Sequence, residues 1–200
     1  MKTAITGLLA LTLAAQLPPP ATTVHGQRLN ETSEEFAATL QDMKTKVSLN
    51  CQGKIDRKYK SICKQLTEAR SGKRVKIITD AEIEKGAVGP GPGWSWIFDH
   101  DHLVQASFTD SRDQSYNLFL DQAIQKWGKY TDHGVTEYQN GYGARFEMRH
   151  AIWFEPDGSI ISLGEVPSGE FSITILTVET KEEAEAMENV LEKISPSPKL

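Results

Sequence analysis

The sequence predicts an α+β protein: an N-terminal helical hairpin, a central amphipathic helix, an antiparallel meander of about four strands and a C-terminal helix. Three observations lead there. Between Ser111 and Tyr130, the side chains Tyr116, Phe119, Leu120, Ala123, Ile124, Trp127 and Tyr130 recur at helical spacing. Beyond them, alternating runs are separated by Asn140-Gly141 and Pro156-Asp157-Gly158, residues that supply the backbone freedom of tight turns. Near the C-terminus, Thr180 and Glu183 carry the spacing of a capping box, ahead of the inward-facing positions Ala184, Met187, Leu191 and Ile194.

The elements follow in chain order. Lys2, the apolar run Ala4–Ala15, Pro18-Pro19-Pro20 and Val24-His25-Gly26 read as an export leader cut after Gly26, leaving Gln27–Leu200. That run is shorter than the roughly 20 residues a membrane-spanning helix needs. Past residues 1–26, the chain divides into a basic helical hairpin at 27–72, an α+β body at 73–195 and a polar tail at 196–200. Ser33 is placed to cap a helix bearing Phe36, Leu40, Met43 and Val47, which Asn50 and Gly53 end. A second helix aligns Ile55, Tyr59, Ile62, Leu66 and Ala69 on one face, and Ser71-Gly72 stops it.

Arg74–Thr79, Trp94–Phe98 and Leu103–Phe108 are strand-like, the first two separated by the loop Gly89–Gly93. A tight turn at Asn140-Gly141 would set Val135 opposite Phe146 and Tyr138 over Gly143. The long strand Tyr142–Glu155 alternates, with Ala144, Phe146, Met148, His150, Ile152 and Phe154 expected toward the core. His150 is then expected to be a buried structural imidazole, the alternative being a group lining a cavity. Ser159–Val166 and Phe171–Val178 complete the meander.

Charge is unevenly spread. The net is −5, yet Lys44–Lys76 holds eleven Lys/Arg against two Asp/Glu, so a basic module sits on an acidic body. Cys51 and Cys63 in an exported chain read as a disulfide, which requires the chain to reverse near Asn50–Gly53. Asn30-Glu31-Thr32 is an N-glycosylation acceptor sequence.

Several catalytic classes lack their motif. There is no Gly-x-Ser-x-Gly turn, Glu155 and Asp157 belong to a hairpin turn, and Gly89–Gly93 lacks the Lys and Ser/Thr of a phosphate loop. Lys54, Arg57, Lys58, Lys60 and Lys64 form the basic side of the second helix. They could meet a polyanion, an anionic membrane surface or a protein partner. Otherwise they are a solvated face, or they pair with acidic residues such as Glu182, Glu183, Glu185, Glu188 and Glu192.

Trp94 and Trp96 share a face if extended, as core residues or as an aromatic platform. His100 and His102 likewise project together if extended, as two ligands of a transition metal such as zinc would; the alternative is a polar turn. The expectation is a small, secreted (extracellular or periplasmic), non-catalytic binding protein without cofactor. The alternative is a metal-assisted hydrolase centred on His100 and His102.

Overall fold

The computed structural model describes residues 21–24, 26–39, 51, 57–80, 93–112, 115–139, 143–168 and 171–194. Two short strands, β1 (Thr23–Val24) and β2 (Gln27–Arg28), form a ribbon. Then come α1 (Ser33–Thr39), a single 3-10 turn at Arg57–Tyr59, α2 (Lys60–Arg70), and the strands β3 (Val75–Asp80), β4 (Gly93–Asp99) and β5 (His102–Asp110). Helix α3 (Ser115–Trp127) leads to β6 (Asp132–Gln139), β7 (Arg145–Phe154), β8 (Ile160–Ser168), β9 (Phe171–Glu179) and α4 (Lys181–Ile194).

The large sheet has seven antiparallel strands in the order β3-β4-β5-β9-β8-β7-β6. The expected four-strand meander beside a helical hairpin is therefore not the architecture. The meander β6–β9 supplies four strands of a larger sheet, whose other three, β3–β5, join it where Ala106 faces Val178 and Phe108 faces Leu176. This seam links residues far apart in sequence, and no turn motif announces such a pairing. The hairpin helices are cover for that sheet: α1 spans seven residues, and α2 lies against β3. Positions 40–50, which were to extend the first helix through Leu40, Met43 and Val47, lie outside the described residues.

Residues directly opposite one another on antiparallel strands share a face. Ile77, Trp96, Ala106, Val178, Ile161 and Trp153 all lie on one face, and all are buried. Phe36 of α1 packs edge-on against Trp96 and Phe98, Leu66 and Ala69 of α2 join the same core, and Phe119 and Trp127 of α3 meet Phe108 and Trp153.

The long strand β7 obeys the expected alternation with its faces exchanged. Ala151 and Trp153 point into the core, and Trp153 donates its indole N–H to the Gly128 carbonyl at 2.9 Å. Met148, His150 and Ile152 take the other face. The β6–β7 register differs too. Tyr138, not Val135, faces Phe146, and Val135 faces Arg149, so the connection spans residues 140–144 instead of two residues. An odd shift in register swaps which sets share a face.

Two helix caps differ in detail from the sequence expectation, and one hairpin takes the polar turn that was the alternative. Thr32, not Ser33, caps α1: its hydroxyl accepts from Glu35 N–H while the Glu35 carboxylate accepts from Thr32 N–H. At α4 only half the box forms. Thr180 Oγ1 accepts from Glu183 N–H, but Thr180 N–H goes to the Val104 carbonyl and the Glu183 carboxylate to Arg74. The β4–β5 hairpin turns on His100 and Asp101 at φ of 48° and 68°, a mirror-image turn that matches strand twist.

Cys51 and Cys63 are bonded, with their Cα atoms 5.4 Å apart. The chain does reverse between them, although residues 52–56 lie outside the described set. Closing a loop of this size is worth about 3 kcal/mol in the chain-entropy account. The bond fixes the segment preceding α2 to a buried position of that helix. Among the described residues, no helix is long and apolar enough to cross a membrane.

Candidate functional site

Helix α2 divides its residues cleanly. Cys63, Leu66 and Ala69 are buried and Ile62 packs beside them, because this side faces the core. Lys60 and Lys64 are exposed on the other, and Arg57, in the 3-10 turn leading into the helix, is exposed as well. Lys60 and Lys64 lie about 6 Å apart along the α2 axis, and Arg57 precedes Lys60 by one 3-10 turn, also about 6 Å. Lys64 reaches Glu68 of its own helix at 4.0 Å, while no ion pair joins Arg57 or Lys60 to the acidic body among the described residues. Lys54 and the side chain of Lys58 lie outside the described set.

Pairing with the acidic C-terminal helix does occur, but from the loop after α2. Arg74 bonds both oxygens of Glu183 and reaches Asp99 at 3.4 Å. Those carboxylates raise the guanidinium above its ordinary range, the Glu183 bond contributing most. Glu185 pairs instead with Lys181 of its own helix. The outer row of α2 keeps its charge toward solvent.

The two tryptophans belong to the core side of β4. Trp96 is 0% exposed and donates its indole N–H to Thr79 Oγ1 at 2.9 Å. Trp94 is half-buried, stacked on Trp96 at 5.3 Å between ring centres and tilted against Phe108 at 5.1 Å. Trp96 therefore has no surface to offer a ligand.

His100 and His102 do not lie on one extended segment. His100 is the first residue of the hairpin turn, 85% exposed, with Nδ1 3.1 Å from Asp99. His102 begins β5 and its Nδ1 lies 3.0 Å from the Asn30 carbonyl. Asp101 accepts from the Ser33 hydroxyl and N–H, so it anchors the start of α1. Among the described residues, no group of three or more His, Cys, Asp or Glu is arranged to hold a metal. Asn30 is exposed in a left-handed turn at φ 66°, and the hydroxyl of Thr32 in its sequon is bonded within the α1 cap.

The far face of the sheet holds a constellation that sequence reading misplaced. His150 sits opposite Gly134 on β6 and Gly164 on β8, with its side chain 34% exposed. Its Nδ1 lies 3.5 Å from Thr136 Oγ1 and its Nε2 3.8 Å from Asp132. Asp132, Gly134 and Thr136 alternate along β6, so the ring crosses the glycine between a carboxylate and a hydroxyl. One row along, Ser95, Ser107, Thr177 and Ser162 stand side by side on four neighbouring strands, and the Ser95 and Ser107 hydroxyls bond at 2.6 Å. The i, i+2, i+4 pattern Asp132-Gly134-Thr136 is the signal that could have located this cluster, had the pairing register been known.

On the helix-covered face, Arg149 bonds both carboxylate oxygens of Glu165 at 2.6 and 2.7 Å, bonds Asn117, and lies 4.4 Å above the Tyr116 ring. The Arg149 bond holds the Glu165 carboxyl below its ordinary range. Burial pushes the Tyr116 hydroxyl up to about 12. These charges satisfy one another and tie α3 to β7 and β8. No protein-family model, curated protein or solved structure matches the chain.

Proposed function

We propose that this chain is a small exported, non-catalytic binding protein that engages a polyanionic chain through Arg57 of the turn entering α2 and through Lys60 and Lys64 on the outer face of α2. The observation that carries the reading is the exposure of this row on a helix locked from behind by core packing and a disulfide. A pre-ordered array loses little conformational freedom when a partner binds, so more of its electrostatic attraction appears as affinity. The disulfide and the leader-like N-terminus support an oxidising, extracytoplasmic setting.

A soluble or surface-tethered polyanion fits better than insertion into a bilayer. Interfacial helices bury an apolar face among lipid chains. The corresponding face of α2, Leu66 and Ala69, is already spent in the core. Among the described residues, what α2 offers a partner is polar: Lys60 and Lys64, with Ser61 and Thr67 beside them.

The test is retention of the oxidised protein on immobilised heparin across a salt gradient. The Debye length falls from about 10 Å at 0.1 M salt to about 3 Å at 1 M. Retention at low salt that is lost well before 1 M supports the reading. Passage through the column at low ionic strength contradicts it, and retention on anionic vesicles without retention on heparin reassigns the partner.

A further inference from the structure

We propose that the export leader is removed upstream of Thr22, and not after Gly26, because the stretch a later cut would discard is part of the folded body. The proposal rests on the export reading above and concerns where processing occurs.

Val24 is 3% exposed and belongs to the same core as Phe36 and Trp153. Thr22, also buried, places its backbone N–H and its hydroxyl on the Asp157 carboxylate, and Ser159 donates its hydroxyl to Thr22 Oγ1 at 2.7 Å. Asp157 and Ser159 lie between β7 and β8, so this arm closes one end of the large sheet. The Thr22 carbonyl accepts from Leu29 N–H at 3.0 Å, and the Thr23 carbonyl accepts from the Lys126 ammonium at 2.6 Å. Gly26, at φ +82°, lies between the two strands of the β1–β2 ribbon, in which Val24 faces Gln27.

A cut after Gly26 would undo each of these contacts together. Asp157 would lose two donors, Lys126 its acceptor, and the core an apolar side chain. The new ammonium would fall on Gln27, which is itself buried and receives a bond from Thr39 Oγ1 at 2.7 Å. The cut would also remove Val24, the strand partner of Gln27, and put a charged terminus where that pairing now stands. The apolar run of the leader closes instead on Ala14-Ala15, small residues of the kind a leader cut requires. Processing there leaves the arm whole.

The experiment is intact-mass analysis and N-terminal sequencing of protein recovered outside the cell after expression of the full precursor. An N-terminus between Ala15 and Thr22 is expected, whereas an N-terminus at Gln27 would overturn the proposal. Full-length chain retained in the cell would sink the export reading itself, and the proposal with it. A second measurement compares oxidised chains beginning at Ala21 and at Gln27. The Gln27 chain is expected to melt roughly 10 °C lower or to fail to fold, and Val24→Ala in the Ala21 chain to melt several degrees lower. Equal melting of all three chains would overturn the proposal.

Discussion

The imidazole of His150 lies directly over Gly134. A Cβ at position 134 would come within 3.0 Å of its Cε1 and 3.2 Å of its Nε2. Glycine inside a strand ordinarily costs about 0.5–1 kcal/mol relative to alanine. At this position it is what lets the ring lie flat between Asp132 and Thr136. Gly134→Ala in the native chain is therefore expected to change stability by less than about 1 kcal/mol, the strand gain offset by displacement of the ring. In a His150→Ala background the same substitution should stabilise by about 0.5–1 kcal/mol. Denaturant unfolding of the four proteins measures the coupling, and its absence would mean that the ring does not rest on the glycine.

Trp96 and Trp94 should separate sharply. Trp96→Ala removes a fully buried indole and its bond to Thr79, and is expected to cost about 3–5 kcal/mol. Trp94→Ala removes a half-buried ring and should cost less. Equal and small losses at both positions would return them to the surface role that the sequence allowed.

The Arg149–Glu165 pair predicts a particular dependence on pH. Glu165 is held below its ordinary value by the Arg149 bond, so its carboxylate adds stability above the unfolded carboxyl range and loses it as pH falls through the lower folded value. Glu165→Gln is therefore expected to destabilise by about 1–3 kcal/mol at pH 7. The gap from the native protein should close below about pH 4. A gap independent of pH would show that packing, not charge, is what the substitution removes.

Glu179 predicts the opposite sign. Burial first, and then the neighbouring Glu183, raise its carboxyl above the ordinary value. Ionising it in the folded state is unfavourable, so stability falls as pH rises through the folded value. Glu179→Gln should raise the melting temperature at pH 7 and leave it unchanged at pH 3. A lower melting temperature at pH 7 would indicate that the Gln105 contact at 3.4 Å outweighs the buried charge.

These contrasts explain what could be read from residues alone. The α3 stripe, apart from Ile124 which is 37% exposed, the segments that become β3, β4 and β5, and the disulfide were legible, because each depends on local spacing or on a single cysteine pair. The seam between β5 and β9 was not, since Ala106 and Val178 carry no mark of each other. Alternation along β7 was plain, but apolar count favoured Phe146, Met148, Ile152 and Phe154 over the set containing Ala151 and Trp153. One large indole and its bond to Gly128 decided the face. The His150 cluster was hidden for the same reason, because it depends on which residue of β6 lies opposite. Exposure of Lys60 and Lys64 followed from helical periodicity without knowledge of the sheet, whereas Lys54 and the side chain of Lys58 lie outside the described residues.

The most direct test of the account is the triple substitution Arg57→Glu, Lys60→Glu and Lys64→Glu, measured for melting temperature and for heparin retention in the same preparation. These side chains face solvent and are not paired with the acidic body among the described residues, so the melting temperature is expected to stay within about 2 °C of the native protein. Retention on heparin is predicted to be lost. Unchanged retention, or a large fall in melting temperature caused by new repulsion with the acidic body, would contradict it.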